Sequence, residues 1–489
     1  MRFSLTKKEK LFYAISIGYI AATSFCIAME WYWILLLPVI IATGLFIALS
    51  FDKVLFLIAL LTPISLPVTL PGGIGFNFPT EPLLFGIMML FFFKLFKERT
   101  FDKNVLRHSL TFLIIANLLW ILFTTITSTM PIISLKFFLG RLWFIVCWYF
   151  LGTQLFKQKK NIYRFIWLYS VGLLGIIGYT FWVHLENGFS KKVAHWAPTP
   201  FYGDHTGYAA VIAVGIFLMG GIMLSKSLNK GNPMIKFLAT TFTGIFLIAV
   251  VLSFTRAAWI SILIAGALFF FMQFRFKLRT LMLLLIGVIS CLVIFQKQIV
   301  IALEDATRDS DKEYVKQIHS IYNISTDDSN TERLNRWSAA IRMFKEKPIV
   351  GFGPGTYSFQ YGPYQRFSEM TIISTTTGDK GNAHSEYLGP LSESGIPGLI
   401  TWLCIVFLTM HRGMELYYNG RTQEVRILAA CATLALTTYF VHGLMNNFLD
   451  IDKAGVPIWA MIAMIVTLEI YHNKPVLEGP EAEQGNIVN

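Results

Sequence analysis

The sequence predicts an all-α protein, a polytopic bundle of about 12–14 transmembrane helices with one large, partly helical loop. Three observations carry that prediction. Of 489 residues, 55% are apolar and only 14% charged, too few polar groups to coat a soluble globule of this size. Apolar runs of roughly 17–22 residues recur along nearly the whole chain, each long enough to cross a hydrocarbon core of about 30 Å as a helix. Lys and Arg collect in connections on alternate sides of those runs, the bias that orients membrane helices. Helices are expected rather than strands because backbone N–H and C=O groups in lipid must be satisfied within the segment. The net charge of +12 is spread through these connections and forms no stripe suited to nucleic acid.

In chain order, the runs at 11–29, 32–50, 54–68, 81–96, 110–130, 138–156, 162–183, 207–224, 236–253, 257–273 and 280–296 place eleven spans in residues 1–296. Runs at 397–411, 425–443 and 455–471 add three more in residues 397–471. Lys7, Lys8 and Lys10 precede the first run, which reads as a span because no small-residue cleavage site leads into a soluble domain. With that end inside, the inner connections carry Lys94, Lys97, Arg99, Lys103 and Arg107, then Lys157, Lys159, Lys160 and Arg164, and later Arg412, Arg421 and Arg426. Both termini are then cytoplasmic, and residues 472–489 form a disordered cytoplasmic tail. Cys26, Cys147, Cys291, Cys404 and Cys431 fall inside spans with no metal-ligand spacing and read as small buried apolar residues.

Residues 297–396 fall outside the membrane, on the non-cytoplasmic side, since long loops translocate largely regardless of charge. Ser329 and Glu332 make a capping-box pattern, after which Leu334, Trp337, Ile341 and Phe344 repeat at helical spacing, so an amphipathic helix ends near Lys347 and Pro348. GFGPG at 351–355 demands a tight turn; without a preceding strand or a following Lys it is no nucleotide loop. A short helix from about Ser385 to Ser394 follows, ended by Gly395.

Ionisable groups near the outer ends of spans are informative, because a charge buried there costs several kcal/mol unless something offsets it. Arg141 opens the sixth span, Arg256 sits in a very tight turn between the ninth and tenth, and Arg333 opens the amphipathic helix with Arg336 nearby. Brought together they make a cationic pocket for phosphate, which a planar guanidinium holds through two parallel hydrogen bonds. The structural alternatives are a snorkelling Arg141 and a solvated Arg333 and Arg336. His384, with Glu386 close by, leads the candidates for proton transfer, and His205 and His442 are rivals that spacing does not separate. Asp450 and Asp452 have the form of paired carboxylates for a divalent cation, yet two acids alone seldom complete a site.

At these residues the chain resembles the O-antigen ligase and O-antigen polymerase superfamily of bacterial membrane glycosyltransferases. The resemblance is carried by SFTRAAWISILIAG, TERLNRWSAAIRMFKEKPIVGFGPGTYSF and AHSEYLGPLSESGIPGLITWL, and covers about residues 200–400. It implies a polyprenyl (undecaprenyl) pyrophosphate-linked glycan as donor, lipid A core or another glycan as acceptor, membrane lipids as surroundings, and no cofactor. Carried over residue by residue, it implies His384 as catalytic base and Arg256, Arg333 and Arg141 as pyrophosphate ligands, with Glu386, His205 and Arg336 as secondary residues. Transfer is then inverting and metal-independent, of ligase type in the first instance. Repeat-unit polymerisation and protein O-glycosylation are the alternatives within the superfamily, and small-anion transport is the alternative from another class. Ser385 stands where many relatives have Asn.

Overall fold

The computed structural model describes residues 6–30, 51–69, 75–280, 282, 283, 286, 287, 290, 328–371, 374 and 381–473. Residues 1–55 cluster as one compact unit and 56–489 as a second. In the first, α1 (Lys7–Ala28) is a single helix. A short helix, α2 (Phe51–Leu61), runs across the division between the units.

Nine helices among the described residues are long and apolar enough to cross a membrane, and the protein is an all-α polytopic bundle. They are α4 (Ser109–Ile126), α5 (Pro131–Leu155), α6 (Lys159–Asn187), α7 (His205–Leu224), α8 (Pro233–Leu252), α9 (Arg256–Gln273), α11 (Leu388–Asn419), α12 (Gln423–His442) and α13 (Asp452–His472). Among the described residues, α3 (Thr80–Glu98) precedes these spans and the loop helix α10 (Asp328–Glu346) lies between α9 and α11 in the chain.

The span expected at 54–68 is corrected: its helix stops at Leu61, followed by a 3₁₀ turn and strand β1 (Leu66–Thr69), paired antiparallel with β2 (Gly75–Phe78). Pro63 and Pro67 explain the break, since proline withholds the N–H a continuing helix needs. The expected run 32–50 and most of 280–296 lie outside the described residues.

Helices α12 and α13 form the centre, each with 83% of its membrane-length window buried, whereas α9 has 22%. The sequence of α12 explains its position: Ala429, Ala430, Cys431, Ala432, Thr433 and Ala435 are small, so neighbours approach closely. A Cβ at Gly221 of α7 would lie 1.9 Å from Cys431 Sγ, and one at Gly413 of α11 would lie 2.0 Å from Thr433 Oγ1. The threonine hydroxyls donate back along the helix, Thr433 to Ala429 O at 2.7 Å and Thr437 to Thr433 O at 2.8 Å, which spares apolar surroundings an unmet donor.

Three local features position the candidate site. The loop helix α10 runs one residue either side of the expected start and stop, ahead of Pro348. The 351–355 turn carries positive φ at Gly351, Gly353 and Gly355 and pairs with the start of α11, Phe352 N to Ser392 O at 3.1 Å and Gly353 N to Glu393 O at 2.8 Å. At Gly353, with φ of +115°, an added Cβ would also fall 2.0 Å from Ser128 Oγ, so only glycine fits there. Gly395 (φ +68°, ψ −168°) breaks α11 and separates its first two turns from the membrane-length remainder.

Candidate active site

His384 lies in the irregular segment that leads into α11, and the loop helix α10 holds it from one side. Asn382 Oδ1 accepts from His384 N at 3.0 Å, and Trp337 Nε1 donates to His384 O at 3.4 Å. These bonds support a backbone φ of +46°, a region non-glycine residues seldom occupy and which costs on the order of 1–3 kcal/mol. Arg336 Nη1 stands 3.3 Å from His384 Nε2 and donates to Asn382 O at 3.2 Å, while its Nε donates to Glu332 at 2.7 Å. A guanidinium has no lone pair, so Nε2 is the accepting nitrogen and Nδ1 carries the proton. Burial, reinforced by the charges of Arg336 and Arg333, pushes the imidazole down to about 4. His384 is therefore neutral at neutral pH, the state a general base requires. Burial works against the charge of Glu332, but Ser374 and Arg336 outweigh it and hold that carboxyl below its usual range.

The other residues singled out in the sequence gather around this pair or beside it. Asp204 caps α7 by accepting from Thr206 N at 2.8 Å and Gly207 N at 3.0 Å, which fixes His205 in the first turn. The His205 ring packs 4.1 Å from that of His195, and Thr255 Oγ1 donates to His205 O at 3.3 Å. The tight α8–α9 turn is thereby tied to α7, and half-buried Arg256 follows Thr255 directly. Asp204 and Arg333 exert their charges on both His384 and His442, which places all three histidines in one electrostatic neighbourhood. His442 Nε2 is 3.1 Å from the amide of Asn446.

Arg141 and Glu386 face a different environment. Arg141, 7% exposed, is ion-paired with Asp450. Its charged neighbours are Asp450 and Glu386, whereas those of His384 are Arg336, Arg333, Asp204 and Glu332. Glu386 Oε1 accepts from Tyr439 Oη at 2.6 Å, Phe448 N at 2.7 Å and Leu449 N at 2.8 Å, and so anchors the loop between α12 and α13. Burial, with Asp450 adding to it, raises the Glu386 carboxyl to about 7. A cavity of roughly 140 Å³ is lined by Arg141, Asn382, Ser385, Glu386, Glu393 and Asp450, among others.

The paired-carboxylate reading of Asp450 and Asp452 is corrected: the two point to separate partners. Asp450 takes Arg141, while fully buried Asp452 accepts from Ser65 Oγ at 2.5 Å and from Thr80. No group of three or more His, Cys, Asp or Glu side chains among the described residues has metal-binding geometry. Ser385 accepts from Tyr387 N at 3.2 Å and Leu388 N at 3.3 Å, so it shapes the start of α11 as a short polar cap does.

Sequence reasoning missed Asp204, Asn382, Trp337 and Glu393. Asp204 carried a readable signal, an N-cap residue before an apolar run. Glu393 carried another, a carboxylate at the opening of a span, which accepts from Tyr357 N at 2.9 Å.

A protein-family model described as Wzy_C, O-antigen ligase, matches residues 241–403. No curated protein matches the chain. The matched segment takes in Arg256, the α10 residues Glu332, Arg333 and Arg336, and the segment from Asn382 to Glu393 that carries His384. Over that third of its length this multi-pass membrane protein is similar to the O-antigen ligase family, and its membrane-length helices agree with that likeness.

Proposed function

We propose that the protein transfers a glycan from a polyprenyl (undecaprenyl) pyrophosphate donor to an acceptor hydroxyl at the periplasmic face of a bacterial inner membrane, with lipid A core as acceptor. The observation that carries this reading is the contact of a neutral imidazole with a guanidinium, His384 Nε2 to Arg336 Nη1 at 3.3 Å, inside an O-antigen ligase segment. His384 Nε2 takes the proton of the acceptor hydroxyl as Arg336 turns toward the donor phosphates. The oxygen attacks the anomeric carbon from the face opposite the pyrophosphate, a C–O bond forms as the bond to pyrophosphate breaks, and the configuration inverts. Polyprenyl pyrophosphate departs with the electron pair, and Arg333 and Arg256 neutralise it. Arg141 contributes long-range charge only, because Asp450 compensates it locally. With guanidiniums supplying the positive charge, transfer requires no metal.

The test is transfer in proteoliposomes from an undecaprenyl-pyrophosphate-linked glycan to rough lipopolysaccharide, with and without EDTA. His384→Ala is expected to lower kcat by about 10²–10⁴ while the protein still inserts and folds. An active His384→Ala variant, or retention of the anomeric configuration, sinks the mechanism, and EDTA-sensitive activity sinks its metal independence. Elongation of the donor glycan in place of transfer to lipid A core assigns polymerase activity instead.

A further inference from the structure

The cavity beside Arg141 is built unlike the space around His384. Three carboxylates, Glu386, Glu393 and Asp450, line it against a single guanidinium. Arg141 is more than nine-tenths buried, yet its Nε has no hydrogen-bond partner, and neither does Oδ1 of Asn447, which also lines the cavity. Buried polar atoms are nearly always bonded, so each unmet one points to a group that the site is shaped to receive. The volume, roughly 140 Å³, is about ten times the space a single water needs, so a lone structural water does not account for it. The remaining polar lining comes from Ser358, Ser385 and Asn382, with the aromatic rings of Phe137 and Tyr357. Carboxylates and amide oxygens that accept, hydroxyls that do both, and flat apolar rings are the chemistry that recognises a polyhydroxylated ring. The single guanidinium is already paired with Asp450, which disfavours an anion.

On these grounds we infer that this cavity is a subsite for one neutral or amino sugar ring of the acceptor, held between Asp450, Asn447 and Ser358. The acceptor role rests on the transfer reaction proposed above; the sugar site itself does not. Its place follows from the chain: Ala383 and Ser385, the two neighbours of His384, both line the cavity. A ring seated there presents a hydroxyl within one residue of the base. Phosphate and sugar are thereby sorted to opposite sides of residues 382–386.

Saturation-transfer NMR on the purified full chain tests the site directly, with glucose, galactose, glucosamine and a heptose as probes and glucuronate as the anionic control. At least one of the neutral or amino sugars is expected to receive saturation and glucuronate none, and Ser358→Trp, which fills the cavity, is expected to abolish the signal. An unchanged thermal midpoint establishes that Ser358→Trp is folded, and Asn447→Ala, which removes atoms only, is expected to weaken binding at least about 5-fold. Absence of saturation for every sugar, or a signal that survives Ser358→Trp, overturns the subsite. In the transfer assay, Asn447→Ala should raise the acceptor KM at least about 10-fold with the donor KM unchanged. If transfer depends on His384 but the acceptor KM does not move, the subsite falls and the transfer reaction stands. If sugars bind and no transfer occurs, the reverse holds.

Discussion

The chain on either side of residues 382–386 meets opposite chemistry. Toward α10, His384 sits against Arg336 with Arg333 in reach, and of the two compensating carboxylates Asp204 caps α7 while Glu332 is committed to Arg336 and Ser374. Toward α5 and the α12–α13 loop, one arginine is outnumbered by Glu386, Glu393 and Asp450. The first environment depresses the imidazole to about 4, and the second raises the Glu386 carboxyl to about 7. Burial is the leading cause of both shifts; Arg336 and Arg333 add to it at His384 against Asp204 and Glu332, and Asp450 adds to it at Glu386 against Arg141. Near pH 6 both groups are therefore uncharged, chiefly because both are buried. The lesson is that a short irregular segment, strained at His384, can carry a base at the boundary between a place suited to phosphate and a place suited to hydroxyls.

If that division is functional, charge changes on the two sides must fail differently. Arg333→Ala is expected to cut kcat about 10²–10³-fold, because a fixed donor to developing phosphate charge is lost. Asp450→Asn keeps a partner for Arg141 and is expected to leave kcat near wild type while raising the acceptor KM. Steady-state kinetics with donor and acceptor varied separately decide this, and a kcat loss in Asp450→Asn as deep as in Arg333→Ala would break the comparison. A smaller effect, on stability, follows from burial. Asp450→Ala leaves the guanidinium of Arg141 buried and unpaired at a cost on the order of 2 kcal/mol, reduced from the fully buried case because Asp450 is 34% exposed. The thermal midpoint should drop in that variant and recover when Arg141→Met is added, since the double change removes both charges together.

What the sequence made legible was local. The α8–α9 turn, the loop helix ahead of Pro348, the glycine turn at 351–355 and the stop at Gly395 all announce themselves through spacing, caps and residues that alone tolerate positive φ. The arginines and histidines stood out for the same reason, as costly groups at span ends. Pairing was not legible, because nothing local encodes it. Arg141 meets Asp450 across 309 residues of chain, and Glu386, adjacent in sequence to the His384 segment, turns instead to the 448–449 backbone. The β1–β2 hairpin was hidden for a related reason: an apolar run of strand length looks the same as a helix end until Pro63 and Pro67 are weighed against it.

The smallest expected effect is also the sharpest test of the cationic side. His384 works only when neutral, and its folded value near 4 lies below the ordinary value of 6.5, so activity should persist through the range in which an ordinary histidine becomes charged. The acid limb of kcat/KM, which reports the free enzyme, should therefore fall as pH drops through about 4 rather than through 6.5. Burial is the leading cause and remains in any surface-preserving variant, so removing one guanidinium can return only part of the shift. Arg336→Gln, which removes the charge but can keep a donor to Glu332 where Nε stood, is expected to move the acid limb upward by about one pH unit, equivalent to about 1.4 kcal/mol. A change at Asp450 should leave that limb nearly where it is, because the largest charges acting on His384 are Arg336, Arg333, Asp204 and Glu332. An acid limb near 6.5 in the wild type, or one that follows Asp450 rather than Arg336, would mean that the two sides of the segment are not electrostatically separate.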